Sequence, residues 1–260
     1  MHGQITTSRP DRMTHFDLTG KTALVTGAGR GLGRAIADGL AEAGAVVYGT
    51  SRSEETAKQI STRYGTFAVP IEMTSVASIR TGVAQVLERS GGIDLLVNNA
   101  GINIPKAAVD ITEEDWDSVL DTNLRGSFFL TTELARTWLT TLQSAAVVNV
   151  ASQAGLVAIE ERASYGTSKA GLIHLTKNLA LEWAPKGIRV NAVAPTFVRT
   201  ELTESTLNRP EWAAELQSRI PMGRFGEPDD VVGSVIFLLS DAASLVTGHT
   251  IAIDGGYTIR

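Results

Sequence analysis

Tyr165 and Lys169 stand four residues apart, and together they have the chemistry of a proton-exchanging pair. Four residues are about one helical turn, so both side chains would lie on one face of a helix. A free tyrosine has a pKa of about 10, and a neighbouring ammonium ion lowers that pKa toward neutrality. The same spacing is common on ordinary amphipathic helices. The pair alone therefore does not separate catalysis from structure.

A glycine-rich turn, T-G-A-G-R-G-L-G at residues 26–33, follows the first predicted strand. Glycines permit φ > 0 and let a pyrophosphate approach the backbone, while the following helix N-terminus offers amide donors and a favourable dipole. Leu32 stands where the strict G-x-G-x-x-G motif has its third glycine. A tight strand-to-helix connection also needs glycine for steric reasons alone. The turn thus indicates a dinucleotide site without establishing it.

The end of the second predicted strand indicates which dinucleotide would bind. About 20 residues after the turn, NAD sites place an acidic residue on the adenosine ribose 2′-hydroxyl. The chain instead reads G-T-S-R-S at residues 49–53. Arg52 and Arg30, together with the hydroxyl groups of Ser51 and Ser53, suit a 2′-phosphate. NADP(H) is therefore favoured over NAD(H), which stays the alternative if Arg52 is a solvated loop cation.

Short apolar runs alternate with segments of helical period from Lys21 almost to the end of the chain. This rhythm predicts parallel βαβ units, and so an α/β fold: a Rossmann-type, doubly wound parallel sheet of about seven strands with helices on both faces. The predicted strands are residues 22–26, 45–49, 66–70, 93–98, 145–151, 188–194 and 250–253. Ligands are expected outside the carboxyl ends of these strands. Residues 196–222 interrupt the rhythm and suit a movable lid.

Composition narrows the class of protein. The 260 residues contain no cysteine, which excludes thiolate catalysis, cysteine-ligated metals and disulfides. A net charge of −5 does not favour nucleic acid or an anionic membrane as partner. The histidines are scattered, so no metal site is expected. Residues 1–17 lack the apolar run of a secretion signal and are expected to be a flexible tail before a single domain at 18–260, in a cytoplasmic protein.

Taken together, these residues resemble the short-chain dehydrogenase/reductase family, in its single-domain branch, across nearly all of residues 18–257. Besides the glycine-rich turn, the matching pieces in chain order are N-N-A-G at residues 98–101, Asn123, Ser152, Y-G-T-S-K at residues 165–169 and N-A-V-A-P at residues 191–195. The resemblance implies hydride transfer between a nicotinamide cofactor and a secondary alcohol or ketone.

The resemblance implies a catalytic role for four residues. Tyr165 would be the general acid/base, and Ser152 would hold the substrate oxygen as its charge develops. Lys169 would bind the nicotinamide ribose and lower the pKa of Tyr165, while Asn123 would position a water that relays protons to Lys169. A non-catalytic NADPH sensor is disfavoured, because all four positions are filled.

The resemblance also implies a cofactor-binding set at the ends of the strands. Besides Tyr165 and Lys169, this set comprises Gly27, Arg30, Gly31, Leu32, Gly33, Ser51, Arg52, Ser53, Glu72, Met73, Asn99, Ala100, Gly101, Pro195, Val198 and Thr200. Two positions depart from the family pattern. Thr196 follows Pro195 where the family commonly has glycine, which adds a side chain near the nicotinamide, and Glu72 replaces the usual aspartate at the adenine-contacting position.

The implied substrate is a small polar molecule: a polyol, sugar acid or keto acid. Asn103, residues 153–162 and residues 196–222 are expected to line its pocket. Polar residues among them would bind hydroxyl groups or a carboxylate, or would face solvent as ordinary loop residues: Glu160, Glu161, Arg162 and Arg199. Reduction of 3-oxoacyl groups on an acidic carrier protein is a further alternative, disfavoured because residues 137–146 contain no lysine or arginine for docking.

Assembly is the last expectation that the resemblance supplies. Family members are usually tetramers that pack their last helices and final strand together. The apolar stretches at residues 231–239 and 251–259 suit such contacts, so a homotetramer is expected.

Overall fold

The structure is a computed structural model that describes residues 15–259. Most of the predicted tail, residues 1–14, lies outside the described residues.

The described residues form a seven-stranded sheet in the order β3-β2-β1-β4-β5-β6-β7, with every neighbouring pair parallel. The strands are β1 (Thr22–Thr26), β2 (Val46–Ser51), β3 (Val69–Pro70), β4 (Leu95–Asn98), β5 (Ala145–Val150), β6 (Ile188–Pro195) and β7 (Thr250–Ile253). This confirms the predicted doubly wound fold. The strand order reverses between β1 and β4, which opens a crevice at their carboxyl ends.

Helices cover both faces of the sheet. They are α1 (Gly31–Glu42), α2 (Glu54–Tyr64), α3 (Val76–Ser90), α4 (Glu113–Leu120), α5 (Gly126–Thr141), α6 (Ala163–Trp183), α7 (Glu204–Leu207), α8 (Pro210–Ser218) and α9 (Asp229–Leu239). A π-helical turn, Asp121–Arg125, joins α4 to α5. Hydroxyl side chains begin several of these helices: Ser53 caps α2 and Thr112 forms a capping box with Asp115 at α4.

The apolar core lies in two layers, one on each side of the sheet. Along β1, Ala23 and Val25 join the layer beneath α1 and α9, while Leu24 joins the opposite layer beneath α3, α5 and α6. Side chains of a strand alternate between faces, so a strand covered on both sides must be apolar throughout. This is why β1, β4 and β5 read as continuous apolar runs in the sequence.

Strand boundaries differ from the prediction at the edge of the sheet and also in its centre, where β4 begins two residues later than predicted, at Leu95. β3 contains two residues instead of the predicted five, since its pairing with β2 is limited to Thr50↔Val69 and Ser51↔Pro70. Pro70 also has no backbone N–H to donate. β2 runs two residues further than predicted, to Ser51, and β6 reaches Pro195. Within residues 15–259, no helix is long and apolar enough to cross a membrane.

Candidate active site

The predicted catalytic side chains converge at the carboxyl ends of β4 and β5. Ser152 lies just past β5, and the first turns of α6 carry Tyr165 and Lys169 back over it. Asn123 comes from the π-helical turn before α5. These residues are far apart in the chain, and the doubly wound topology brings them to one end of the sheet.

Tyr165 is hydrogen-bonded to the side chain of Ser152. Burial raises the pKa of Tyr165 above its usual value of 10, while the Ser152 hydrogen bond and the positive charge of Arg162 oppose that rise. In the structure the pKa of Tyr165 is raised overall, and Arg162 is one cation that counteracts burial. The predicted effect of Lys169 on this pKa stays a prediction.

Lys169 is buried directly behind the tyrosine. Its ammonium nitrogen lies 5.6 Å from the centre of the Tyr165 ring and donates a hydrogen bond of 2.7 Å to the carbonyl oxygen of Val150. Loss of solvation on burial lowers the pKa of Lys169 to about 8. The group therefore changes charge close to neutral pH, beside the residue predicted to exchange the substrate proton.

Asn123 is fully buried and held on three sides. Its Oδ1 atom accepts from the Ile102 amide at 2.8 Å, and its Nδ2 atom donates to the Ile102 carbonyl at 2.9 Å and to the Ser168 hydroxyl at 3.0 Å. Its own carbonyl accepts from the Ser127 hydroxyl at 3.0 Å. The side chain thus fixes the loop after β4 to α6. Its predicted role in positioning a water stays a prediction.

The glycine-rich turn has the backbone that an anion site needs. Gly27 and Gly31 have φ values of +67° and +50°, in the left-handed region that favours glycine. A Cβ atom on Gly33 would lie 2.2 Å from the Gly27 carbonyl oxygen, so only glycine lets the helix approach so closely. Arg30, at the start of α1, provides no side-chain cap. The first amides of α1 are therefore free to bind a phosphate group.

Thr26 connects this turn to the loop after β4. Its hydroxyl oxygen accepts from the amides of Asn99 and Ala100, both at 2.9 Å, and its carbonyl accepts from Asn99 Nδ2 at 2.9 Å. A Cβ atom on Gly101 would lie 3.1 Å from Asn123 Oδ1 and 3.6 Å from Lys169 Nζ. The two predicted cofactor loops therefore form one wall. Thr26 was not singled out as a site residue, and only its place at the end of β1 hints at this role.

Arg30 and Arg52 are exposed beside the turn, as an NADP site requires. Neither has an ion-pair partner within residues 15–259. The nearby hydroxyl groups are used locally: Ser51 donates to the Ser53 carbonyl at 2.6 Å, and Ser53 caps α2. The two guanidinium groups are thus the clearest candidates for a 2′-phosphate.

Of the remaining predicted cofactor residues, some face the candidate site and others belong to the surrounding fold. Thr200 faces the glycine-rich turn, since a Cβ atom on Gly31 would lie 3.4 Å from its side chain. The Glu72 carboxylate accepts from Thr74, whereas the Met73 side chain is buried in the core. Pro195 ends β6 opposite Ile253, Val198 forms a bridge with Gly226, and Leu32 is half-buried at the start of α1.

A cavity of about 50 Å³ opens onto Tyr165 and Ser152. Its other lining residues are Asn103, Gln153, Ala154, Ile159, Arg162, Thr196, Phe197, Leu202, Thr203 and Thr206. The expected pocket segments therefore do meet here, and the departure at Thr196 adds a side chain to the wall. Arg199 does not join them, because it pairs with Glu227 at 3.3 Å and stacks on Phe225.

A wider surface depression of about 670 Å³ lies outside this site. It is lined largely by carboxylates of α4 and contains none of the predicted site residues. In the part of the chain that the structure describes, no three His, Asp or Glu side chains come together as they would around a metal ion.

The fold and the site define a nicotinamide-dinucleotide oxidoreductase. A family model described as enoyl-(acyl carrier protein) reductase matches residues 27–258. An NAD-dependent glycerol dehydrogenase of Listeria innocua is 39% identical over 252 residues, which cover 94% of this chain and 96% of that one. A 3-oxoacyl-[acyl-carrier-protein] reductase of Aquifex aeolicus is 41% identical over 245 residues, with 92% and 98% covered.

Solved structures agree with the sequence relatives. A gluconate 5-dehydrogenase from Burkholderia cenocepacia, solved with NADP and tartrate, superposes with a TM-score of 0.92 at 34% identity, covering 96% of this chain and all of that one. The chain belongs to the short-chain dehydrogenase/reductase family. It is an NAD(P)-dependent enzyme that interconverts alcohols and ketones.

Proposed function

We propose that this enzyme is an NADP-dependent dehydrogenase of small polyhydroxylated molecules, either polyols or sugar acids. The observation that carries the proposal is the polarity of the pocket wall. Three buried polar atoms there have no hydrogen-bond partner among the described residues: Asn103 Oδ1, Gln153 Oε1 and Thr196 Oγ1. Unpaired buried polar groups are costly, so they favour a ligand that brings hydroxyl groups to them.

Four residues of the site carry the proposed chemistry. Tyr165 takes the proton of the substrate hydroxyl during oxidation and returns it to the carbonyl oxygen during reduction. Ser152 accepts a hydrogen bond from the Ala154 amide at 3.1 Å and is hydrogen-bonded to Tyr165, so its hydroxyl group is fixed beside the phenol that exchanges the proton. Lys169, when charged, stabilises the phenolate, and Asn123 keeps the loop after β4 in place around both. The dinucleotide, when bound, supplies or takes the hydride.

The glycine-rich turn and the loop after β4 are proposed to hold the pyrophosphate and the nicotinamide end of the dinucleotide. The uncapped first turn of α1 suits a pyrophosphate, and Thr200 lies beside it. Arg30 and Arg52 support NADP over NAD, because Arg30 lies in the glycine-rich turn, Arg52 follows β2, and neither has an ion-pair partner among the described residues. Both dinucleotides occur among the relatives, since one relative is named NAD-dependent and another was solved with NADP.

A role on acyl groups of a carrier protein receives less support. Besides Lys186, the basic side chain that could contribute to the predicted docking surface is Arg125, and it is already paired with Asp121 at 3.9 Å. An acidic carrier needs uncompensated positive charge.

We also propose a cytoplasmic homotetramer. Leu181, Leu245 and Ile259 are each at least 80% exposed, which is unusual for large apolar side chains and suits burial against further copies of the chain. Light scattering at assay concentration should give about four times the mass of one chain. A monomer would contradict the assembly without affecting the proposed activity.

A substrate panel tests the proposed function. With NADP, the enzyme should oxidise four- to six-carbon polyhydroxylated compounds with a higher kcat/KM than simple secondary alcohols. With NADPH, it should reduce the matching keto compounds faster than an acetoacetyl thioester. The Tyr165→Phe variant is the control for background oxidation. Preferred reduction of the thioester would contradict the proposal and favour the acyl-carrier alternative.

A further inference from the structure

Arg162 is the one charged side chain among the described residues that line the pocket. It is only 6% exposed. A buried charge is strongly disfavoured unless it is paired, and burial accordingly lowers the pKa of Arg162, although a guanidinium stays charged in proteins. The side chain that faces the substrate position is therefore a cation in need of an anion.

The contacts of Arg162 do not supply that anion. One terminal nitrogen donates to the Glu161 carbonyl at 3.1 Å, and the other donates to the Thr206 hydroxyl at 2.8 Å. Both acceptors are uncharged, and no carboxylate in the described part of the chain comes within ion-pair distance of this guanidinium. A guanidinium has five N–H donors, so three remain without a partner there.

The nearest acidic side chain is already paired elsewhere. The Glu161 carboxylate accepts from Arg209 of the neighbouring segment at 3.0 Å. The carboxylate near Arg162 therefore pairs with Arg209, and the guanidinium inside the pocket has no ion-pair partner among the described residues. Glu161 also has φ +58°, a strained value for a residue with a side chain, and this backbone leads directly into Arg162. The segment is held in a costly conformation at the position that carries the cation.

Resting on the proposed function, we propose that Arg162 binds a carboxylate of the substrate, and that the enzyme acts on polyhydroxylated monocarboxylates of the aldonate type in preference to neutral polyols. The reacting hydroxyl group lies at Ser152 and Tyr165, and the carboxylate lies at Arg162. The hydroxyl groups between them meet the unpaired atoms of Asn103 and Gln153. A guanidinium matches a carboxylate with two parallel hydrogen bonds, which fixes both the orientation and the class of substrate.

The hydrogen bond to Thr206 orients the guanidinium in the pocket. Thr206 belongs to the short helix α7 and itself lines the pocket. Since three N–H donors have no partner among the described residues, a carboxylate can bind to two of them while the hydrogen bond to Thr206 stays in place.

The test compares each aldonate with its own aldonamide, in which a neutral amide replaces the carboxylate at nearly the same size. We expect the wild-type kcat/KM with NADP to favour the aldonate by about 30-fold or more, as for a charge-assisted bidentate pair. Arg162→Gln should reduce this ratio to about one, because the loss of positive charge beside Tyr165 affects both substrates alike and cancels in the ratio, whereas the loss of carboxylate binding affects only the aldonate. Arg162→Lys should give an intermediate ratio. Arg199→Gln is the matched control, because this arginine pairs with Glu227 outside the pocket and should keep the ratio.

A binding measurement makes the test independent of turnover. Calorimetric titration of the enzyme–NADPH complex with D-gluconate, which cannot be oxidised under those conditions, should give heat in wild type and in Arg199→Gln but at least tenfold weaker binding in Arg162→Gln. NADPH binding by each variant confirms that it is folded.

The outcomes separate the inference from the proposed function. Equal use of aldonates and aldonamides by wild type, or an equal loss on both in Arg162→Gln, would overturn the carboxylate assignment and leave a polyol dehydrogenase. Binding of gluconate that depends on Arg162, without oxidation of any polyhydroxylated compound, would support the anion site and refute the proposed function.

Discussion

The ammonium group of Lys169 donates its hydrogen bond to the backbone carbonyl of Val150, at 2.7 Å, and is not paired with an acid among the described residues. A carbonyl replaces only part of the hydration that this cation loses on burial, which is why the pKa of Lys169 falls to about 8.

Ketone reduction is expected to decline above about pH 8. Reduction needs a protonated Tyr165 and benefits from a charged Lys169 beside it, and the ammonium group loses its proton in this range. Alcohol oxidation needs the tyrosine to accept a proton, and the pKa of Tyr165 is raised, so its kcat/KM should rise only at higher pH than that at which reduction begins to decline. Profiles of both directions between pH 6 and 10 check this. A reduction rate that stays constant to pH 10 would contradict the role of Lys169.

Replacing Lys169 with methionine should change how stability depends on pH. The folded pKa lies below the unfolded value of 10.5, so the buried ammonium destabilises the fold below pH 8 and ceases to do so above about pH 10.5. Lys169→Met should therefore gain stability relative to wild type. This gain, measured as an increase in the free energy of unfolding, should be larger at pH 7 than at pH 10, by up to about 3 kcal/mol. Urea unfolding at the two pH values measures the difference. An offset independent of pH would show that Lys169 does not titrate as inferred.

Tyr165→Phe should remove the proton exchange and keep the cofactor site. We expect kcat to fall by about 1,000-fold, within the range for loss of a general acid/base, while the Kd for NADPH changes by less than about threefold. Single-turnover kinetics and a fluorescence titration with NADPH measure the two quantities. Near-normal turnover would refute the catalytic assignment.

Arg52→Ala is expected to raise the KM for NADP by about tenfold or more and to leave the KM for NAD nearly unchanged, because only NADP has a phosphate for the guanidinium. The double variant with Arg30→Ala should strengthen the effect. Arg34→Ala is a suitable control, since this arginine lies on α1 but pairs with Asp38 at 3.9 Å. An unchanged preference between the two dinucleotides would show that Arg52 is an ordinary surface residue.

Gly33→Ala tests the close approach of α1 to the glycine-rich turn. The new Cβ atom would meet the Gly27 carbonyl oxygen at 2.2 Å and Asn99 Nδ2 at 2.3 Å, so backbone or side chain must shift. We expect a loss of stability of about 1–3 kcal/mol, typical of overpacking, together with weaker NADPH binding. Thermal unfolding with and without NADPH measures both effects. A variant with wild-type melting behaviour would contradict the tight packing described for this turn.

The sequence predicts the fold well because its signals are local and repeated. Apolar runs of strand length, helical periods and glycine at the first turn recur along the chain, and each reflects burial on both faces of one sheet. β3 is the main exception. The residues predicted for β3 resemble those of the inner strands in composition. How many of them pair depends on how far β3 runs beside β2 at the edge of the sheet, which the local sequence does not show.

The site is less completely predictable. Tyr165, Ser152 and Lys169 follow from spacing and resemblance, whereas the burial and orientation of Arg162 depend on the backbone of Glu161. A glutamate gives no signal for a positive φ, because glycine and asparagine are the residues that ordinarily adopt it. The separation of Arg162 from Arg199 likewise arises from Glu227, which is distant in the sequence.

The hydrogen bond between Arg162 and Thr206 also prepares the guanidinium before an anion arrives. Because Thr206 already holds one terminal nitrogen, the long side chain loses less rotamer freedom when a carboxylate binds. Part of the entropic cost of binding the substrate is therefore already incurred when the protein folds.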